Sequence, residues 1–166
     1  ITRKQLEKFN KTYRKDEQLK FINKLNASKD WTSTLRNEND YQTHTTEILV
    51  PKLNNGTYLI FAALENNTDI FAFSIIQVTN LALVETDSED YKTFQIIDRN
   101  NGKPIINAKI ELKYQENNSQ NTHIENYTTN INGHIKIKKD SDRYRNITAK
   151  VKHANDVAYF GNYYVN

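Results

Sequence analysis

Phe94-Gln-Ile-Ile-Asp-Arg-Asn-Asn-Gly-Lys-Pro-Ile-Ile-Asn-Ala-Lys-Ile-Glu-Leu-Lys113, a polar loop, and then Thr128-Thr-Asn-Ile-Asn-Gly-His-Ile-Lys-Ile137 form the stretch that decides the fold. Apolar and polar residues alternate on either side of two Asn-Gly pairs. Alternation places one face of a strand in a core and the other in water. Asp98-Arg-Asn-Asn-Gly102 and Asn130-Ile-Asn-Gly133 read as hairpin turns, because Asn and Asp tolerate the left-handed backbone and Gly adopts it freely. These are features of a small antiparallel β-sandwich. Both turns have a complete structural explanation, so neither is assigned a catalytic role.

The same period continues to both sides. Strands are predicted at 92–98, 109–115, 125–129, 134–138, 146–153 and 157–164. Short strands separated by turn signals, with no helical crossover, indicate antiparallel sheets. Upstream, Thr57–Ala63 reads as a strong strand, and Ile70–Val84 as a long one bent near Thr79-Asn80. Trp31–Arg36 and Tyr41–Val50 are also predicted as strands, the second rich in β-branched residues and stopped by Pro51. Asn37–Asp40 reads as a turn. Residues 3–25 have the helical period, with Leu6, Phe9, Tyr13, Leu19, Ile22 and Leu25 at three- and four-residue steps. The polar stretch from Lys11 to Asp16 is a candidate break between two shorter helices.

The fold class expected is mainly β, tandem antiparallel β-sandwiches after an N-terminal helical segment. Three segments follow: a helical segment or insertion at 1–30, a first β unit at 31–84 and a complete sandwich at 85–166. Four strands leave the first unit short. Either its missing strands precede Ile1 in a parent protein, or the two units share a sheet; the former is the expectation.

Composition excludes several function classes. The 166 residues include no Cys, which rules out a disulfide, a thiolate nucleophile and a Cys-type zinc site. The net charge of +3 is small, and the basic residues are dispersed, which argues against nucleic acid. No apolar run approaches the roughly 20 residues of a membrane-spanning helix. The chain opens Ile1-Thr-Arg and lacks Met, so a longer precursor with an upstream secretion signal is expected.

Candidate chemistry is sparse. His44, His123, His134 and His153 have no one-turn helical spacing of a zinc motif. Carboxylates cluster at Glu85–Asp90 and at Asp140 and Asp142; the first offers oxygen ligands for calcium between domains, but solvation of a loop explains it better. The aromatic run from Tyr159 to Tyr164 could stack on sugars, yet its alternation fits a last strand with one buried face. No Gly-x-Ser-x-Gly elbow or phosphate loop is present. We therefore assign no catalytic, cofactor-binding or metal-binding residue and expect no cofactor.

Three ordered segments carry a family resemblance: Asp40-Tyr-Gln-Thr-His-Thr-Thr-Glu47 with Val50-Pro-Lys-Leu-Asn-Asn-Gly-Thr-Tyr-Leu-Ile-Phe-Ala-Ala63 and Ile76-Gln-Val-Thr-Asn-Leu81, then the Phe94–Ile110 and Thr129–Ile135 patterns, then Ala158-Tyr-Phe-Gly-Asn-Tyr-Tyr164. Together they resemble the N-terminal macroglobulin domains (MG1/MG2-like, immunoglobulin-like sandwiches) of large Bacteroidetes-type alpha-2-macroglobulin-like proteins. The resemblance covers most of 31–166. It implies a scaffold segment of an envelope protein, often a lipoprotein, that entraps or inhibits proteases. Its implied partners are neighbouring macroglobulin domains and, through the full-length protein, target proteases. It also implies a location at the cell envelope (periplasm or outer-membrane lipoprotein) or outside the cell. Some members carry a Cys–Gln thioester, which this Cys-free chain cannot form; no bait segment is identifiable either. The middle patterns alone are shared with transthyretin-like and carboxypeptidase-regulatory-like sandwiches, so the alternative is an extracellular carbohydrate- or protein-binding module.

Overall fold

The structure is a computed structural model and describes residues 1–36, 39–116, 121–139 and 144–165. The chain divides into two units, one of Ile1–Asn54 with Leu59–Ser74, the other of Asn55–Tyr58 with Ile75–Asn166. The expected boundary at 84/85 falls within a strand of the second.

In the first unit the helical period yields two helices, α1 (Arg3–Phe9) and α2 (Lys15–Ile22). Thr2 and Gln5 form a reciprocal capping box at the start of α1, which satisfies amides that a helix leaves unpaired. Asp16 and Glu17 lie in the first turn of α2, where the helix dipole favours negative charge. The break falls in the polar stretch, and Gln18 Nε2 donates to Thr12 O across it (2.9 Å). Phe9 is buried, with its ring 5.4 Å from that of Phe21 and edge-on to Phe73 at 5.0 Å. Strands β1 (Gly56–Leu64) and β2 (Asn67–Val78) pair with one another in a two-stranded sheet, of which residues 59–64 and 67–74 belong to this unit.

The expected strands at Trp31–Arg36 and Tyr41–Val50 do not form. Between α2 and β1 no described residue is in a helix or strand, and 41–50 is exposed throughout. Strand propensity measures how well a residue fits a pleated, half-buried surface. Without a neighbouring strand to supply hydrogen bonds, that propensity is not realised.

The second unit has strands β3 (Leu81–Asp87), β4 (Tyr91–Asp98), β5 (Lys109–Glu116), β6 (Thr122–Thr128), β7 (His134–Lys138), β8 (Tyr144–His153) and β9 (Asp156–Val165). They form one sheet of order β3-β4-β7 and another of order β6-β5-β8-β9, and every pair is antiparallel. The alternation read in the sequence sets the inner faces: Phe94 and Ile96 from β4, Ile110, Leu112 and Tyr114 from β5, Ile147, Ala149 and Val151 from β8. The two faces close on one core, so this unit is an immunoglobulin-like sandwich.

The predicted bend near Thr79-Asn80 is a full break between β2 and β3. Asp156, the first residue of β9, holds it. Asp156 Oδ2 accepts from Asn55 Nδ2 (2.8 Å), Thr79 Oγ1 (2.9 Å) and the Asn80 amide (2.8 Å). Beyond it, the Gln77 side chain imitates a neighbouring strand: the Tyr159 amide donates to Gln77 Oε1 (2.7 Å), and Gln77 Nε2 donates to Tyr159 O (3.2 Å). Capping β9 in this way reduces the hazard of an open strand edge.

Both Asn-Gly turns are present, but neither is a hairpin between strands of one sheet. After Asp98–Gly102 the chain makes a short bridge, Ile97 to Pro104, and then crosses to β5 in the opposite sheet. Asn130–Gly133 carries the chain back from β6 to β7. Asp98 and Asn130 side chains accept from amides two residues on (2.7 and 2.9 Å). Buried Thr129 fixes the crossover: its hydroxyl donates to Ile105 O (2.7 Å) and accepts from the Ala108 amide (2.8 Å).

The two glycines are not equivalent. Both have positive φ, +71° and +72°, but a Cβ on Gly102 meets nothing, whereas one on Gly133 would lie 2.5 Å from Ile96 O. Gly102→Ala is expected to cost about 1–2 kcal/mol of left-handed backbone strain. Gly133→Ala adds a clash with backbone and is expected to cost about 3 kcal/mol or more. Urea unfolding of the two variants checks the order.

Candidate functional site

The second unit has polar groups on the inner surface of its sheets at three places. The first lies between β6 and β7, beside the core. Register opposes Tyr114 to His123, Leu112 to Glu125 and Ile110 to Tyr127, so the inward positions of β6 carry His123, Glu125 and Tyr127. Tyr114 Oη donates to Glu125 Oε1 (2.6 Å), Tyr127 Oη donates to Glu125 Oε2, and the Tyr114 ring stacks on His123 at 5.5 Å. A cavity of about 200 Å³ is lined by Leu112, Tyr114, Glu125, Tyr127, Ile137, Lys138 and Ile147. Sequence reasoning did not single out this cluster. Its signal was parity: continuing the inward alternation of β5 across to β6 puts a carboxylate and an imidazole on the core side.

The hydroxyl of Tyr114 and then that of Tyr127 hold the Glu125 carboxyl below its usual value of 4.5, against a smaller opposing effect of burial. A carboxylate held in this way completes the hydrogen bonding of a nearly buried tyrosine.

The second place is the end of the sandwich at β3 and β4. Lys92 points inward and is buried, and its Nζ lies 2.5 Å from Glu85 Oε1. Asp87 pairs with Lys139 at 2.5 Å; the hydrogen bond from Lys139 is the main cause holding the Asp87 carboxyl below its usual range. The acidic run Glu85–Asp90, read mainly as a solvated loop, thus spends Glu85 and Asp87 on lysines. The third place is Asp156, a single carboxylate acting as a clamp.

The histidines do not converge. His44 lies outside any strand and bonds to Asp40 (2.6 Å), an exposed pair in which the His44 contact chiefly lowers the Asp40 carboxyl. His123 stacks on Tyr114; His134 begins β7 and His153 ends β8. Among the described residues no group of three or more His, Cys, Asp and Glu could hold a metal ion. Residues 37–38 of the expected turn, Asp140 and Asp142, and the side chains of Tyr163 and Tyr164 lie outside what the structure describes. No helix among the described residues is long and apolar enough to cross a membrane.

Neither a protein-family pattern nor a curated protein matches the chain. A solved structure does: native alpha-2-macroglobulin from Escherichia coli spanning domains MG0-NIE-MG1, at 10% identity and a TM-score of 0.45, the match covering 65% of this chain and 34% of that one. The chain thus matches about a third of that structure, and at this TM-score the likeness carries no argument for family or activity.

Depression of the Glu125 pKa has a definite sign. The stability it supplies is present above the unfolded value of 4.5 and is lost as pH falls through the lower folded value. Glu125→Gln is therefore expected to lower stability at pH 7 by under about 1 kcal/mol, since the carboxylate is exposed. The variant should also show a shallower loss of stability than the parent below pH 4.5. Urea midpoints between neutral and acid pH measure both.

Proposed function

We propose that the chain is a non-catalytic scaffold segment of a large bacterial alpha-2-macroglobulin-like protein of the cell envelope that entraps or inhibits proteases. The carrying observation is where the resembling motifs fall. Gly102-Lys-Pro-Ile105 and Asn132-Gly-His-Ile135 lie on the crossovers that join the two sheets, and Ala158–Tyr164 lies in β9. Each motif serves the build of the sandwich. Residues placed for this reason mark a module, and a module of this kind acts through the larger assembly.

Within that reading, neighbouring macroglobulin domains of the same polypeptide are the immediate partners, and proteases are partners of the full-length protein. The polar groups support the scaffold role. Glu125, Glu85, Asp87 and Asp156 each bind side chains or amides of their own unit. No thioester involves this stretch, because it has no Cys.

Entrapment has a distinctive kinetic signature. The full-length protein, mixed with an endopeptidase, is expected to suppress cleavage of a large protein substrate by tenfold or more, on the order of the access lost to an enclosed enzyme. Cleavage of a short peptide should persist. Suppression of neither substrate would overturn the proposal.

A further inference from the structure

Four strands of the second unit lie at sheet edges: β3, β7, β6 and β9. An open edge invites another strand, and proteins guard it with charges, caps or bulges. β7 carries Lys136 and Lys138. In β3, Glu85 and Asp87 are held by lysines. In β9, the Tyr159 amide and carbonyl are taken by Gln77. β6 reads Thr122-His-Ile-Glu-Asn-Tyr-Thr128, with no lysine, arginine or proline. Its one carboxylate, Glu125, is bonded to Tyr114 and Tyr127. Ile124, at its middle, is 58% exposed.

Charge sets what this edge can accept. Register puts Lys109 and Lys113 of β5 and Lys150 and Lys152 of β8 on the outer face of the sheet, since Ile110, Leu112 and Val151 between them are buried. Glu111 is the one carboxylate among the described residues of that face. Four lysines and one glutamate leave three positive charges, as many as the formal charge of the whole chain. Lys109 stands directly opposite Lys152, and like charges so placed destabilise a sheet. Lys109 also reaches over the edge strand, where its Nζ donates to Thr128 Oγ1 (3.0 Å). Lys113 lies opposite Ile124 of β6. The lysines are scattered in the sequence, and register gathers them.

We propose that the β6 edge is a docking site for an extended acidic segment of a partner protein. The segment adds to the sheet beside β6 through main-chain hydrogen bonds. Its outward carboxylates, at every second position, meet the ammonium groups of Lys109 and Lys113 over the edge strand. Its alternate side chains face the other way, toward the cavity lined by Leu112, Ile137 and Ile147, and are apolar. Glu111, set among the lysines, repels a continuous negative layer such as a lipid surface more than it repels one strand beside β6. The positive face also rejects a basic strand, so it selects among partners as well as attracting one. The inference rests on the second unit and does not depend on the protease reading.

Fluorescence anisotropy with a labelled octapeptide alternating Val and Glu, added to the 166-residue chain, tests it. The peptide is expected to bind about tenfold or more tighter than one alternating Val and Lys, and to weaken as salt is raised. The Lys109→Glu, Lys113→Glu double variant should lose about tenfold or more in affinity. Methylating alternate amides of the peptide, which leaves the protein untouched, should also abolish binding, because it removes the main-chain pairing. Hydrogen exchange at 122–128 should slow about tenfold or more at saturating peptide, while β8 is unchanged. Failure of the Val-Glu peptide to bind would overturn the proposal. Binding that survives either the charge reversal or the methylation would do so too. Binding to phosphatidylglycerol vesicles without binding to the peptide would instead make the basic face a lipid contact, and the proposal would fall.

Discussion

An apolar sheet face must be covered by a second layer, and the structure turns on where this chain meets that requirement. In the second unit, the faces of β3-β4-β7 and β6-β5-β8-β9 cover each other with alternating residues such as Phe94, Ile110 and Val151. Crossovers follow from it, since a chain that fills two facing sheets must pass between them. Thr129 and the two Asn-Gly turns make those passages possible by satisfying backbone groups that would otherwise be stranded. In the first unit two helices and one pair of strands do not supply a second layer.

The polar interior of the sandwich follows from the same constraint. Asp156 and Lys92 are buried by strand alternation, and Asp156 Oδ2 and the Lys92 ammonium are matched with partners from neighbouring segments. Such matching limits the cost of burying a polar group. Asp156 does most for the architecture. By joining Asn55, Thr79 and Asn80 to the start of β9, it sets where β2 ends and β3 begins.

Much of the second unit was legible because period-two alternation and turn residues agree there. The strand expected at 134–138 is β7, and the two glycines adopt the positive φ that their turns suggested. The destination of each turn was not legible. Asn-Gly between alternating segments has the same local preference whether the chain doubles back in one sheet or crosses to another, and tertiary packing decides. Tyr41–Val50 failed for a related reason: local propensity makes it a competent strand, but pairing is a property of two segments. Asp156 and the Glu125 cluster were missed because their meaning depends on register, which places residues such as Thr79 and Asp156 together across 77 positions of sequence.

Trp31, the single tryptophan, lies in the first unit and is partly buried there. Urea unfolding of the 166-residue chain, followed by its fluorescence and by the far-ultraviolet circular dichroism of the strands, addresses the central claim directly: the second unit closes its own core and the first does not. The account predicts two transitions, with the Trp31 signal lost at low urea and most of the strand signal persisting to a later cooperative step. Coincidence of the two probes in one transition would contradict it.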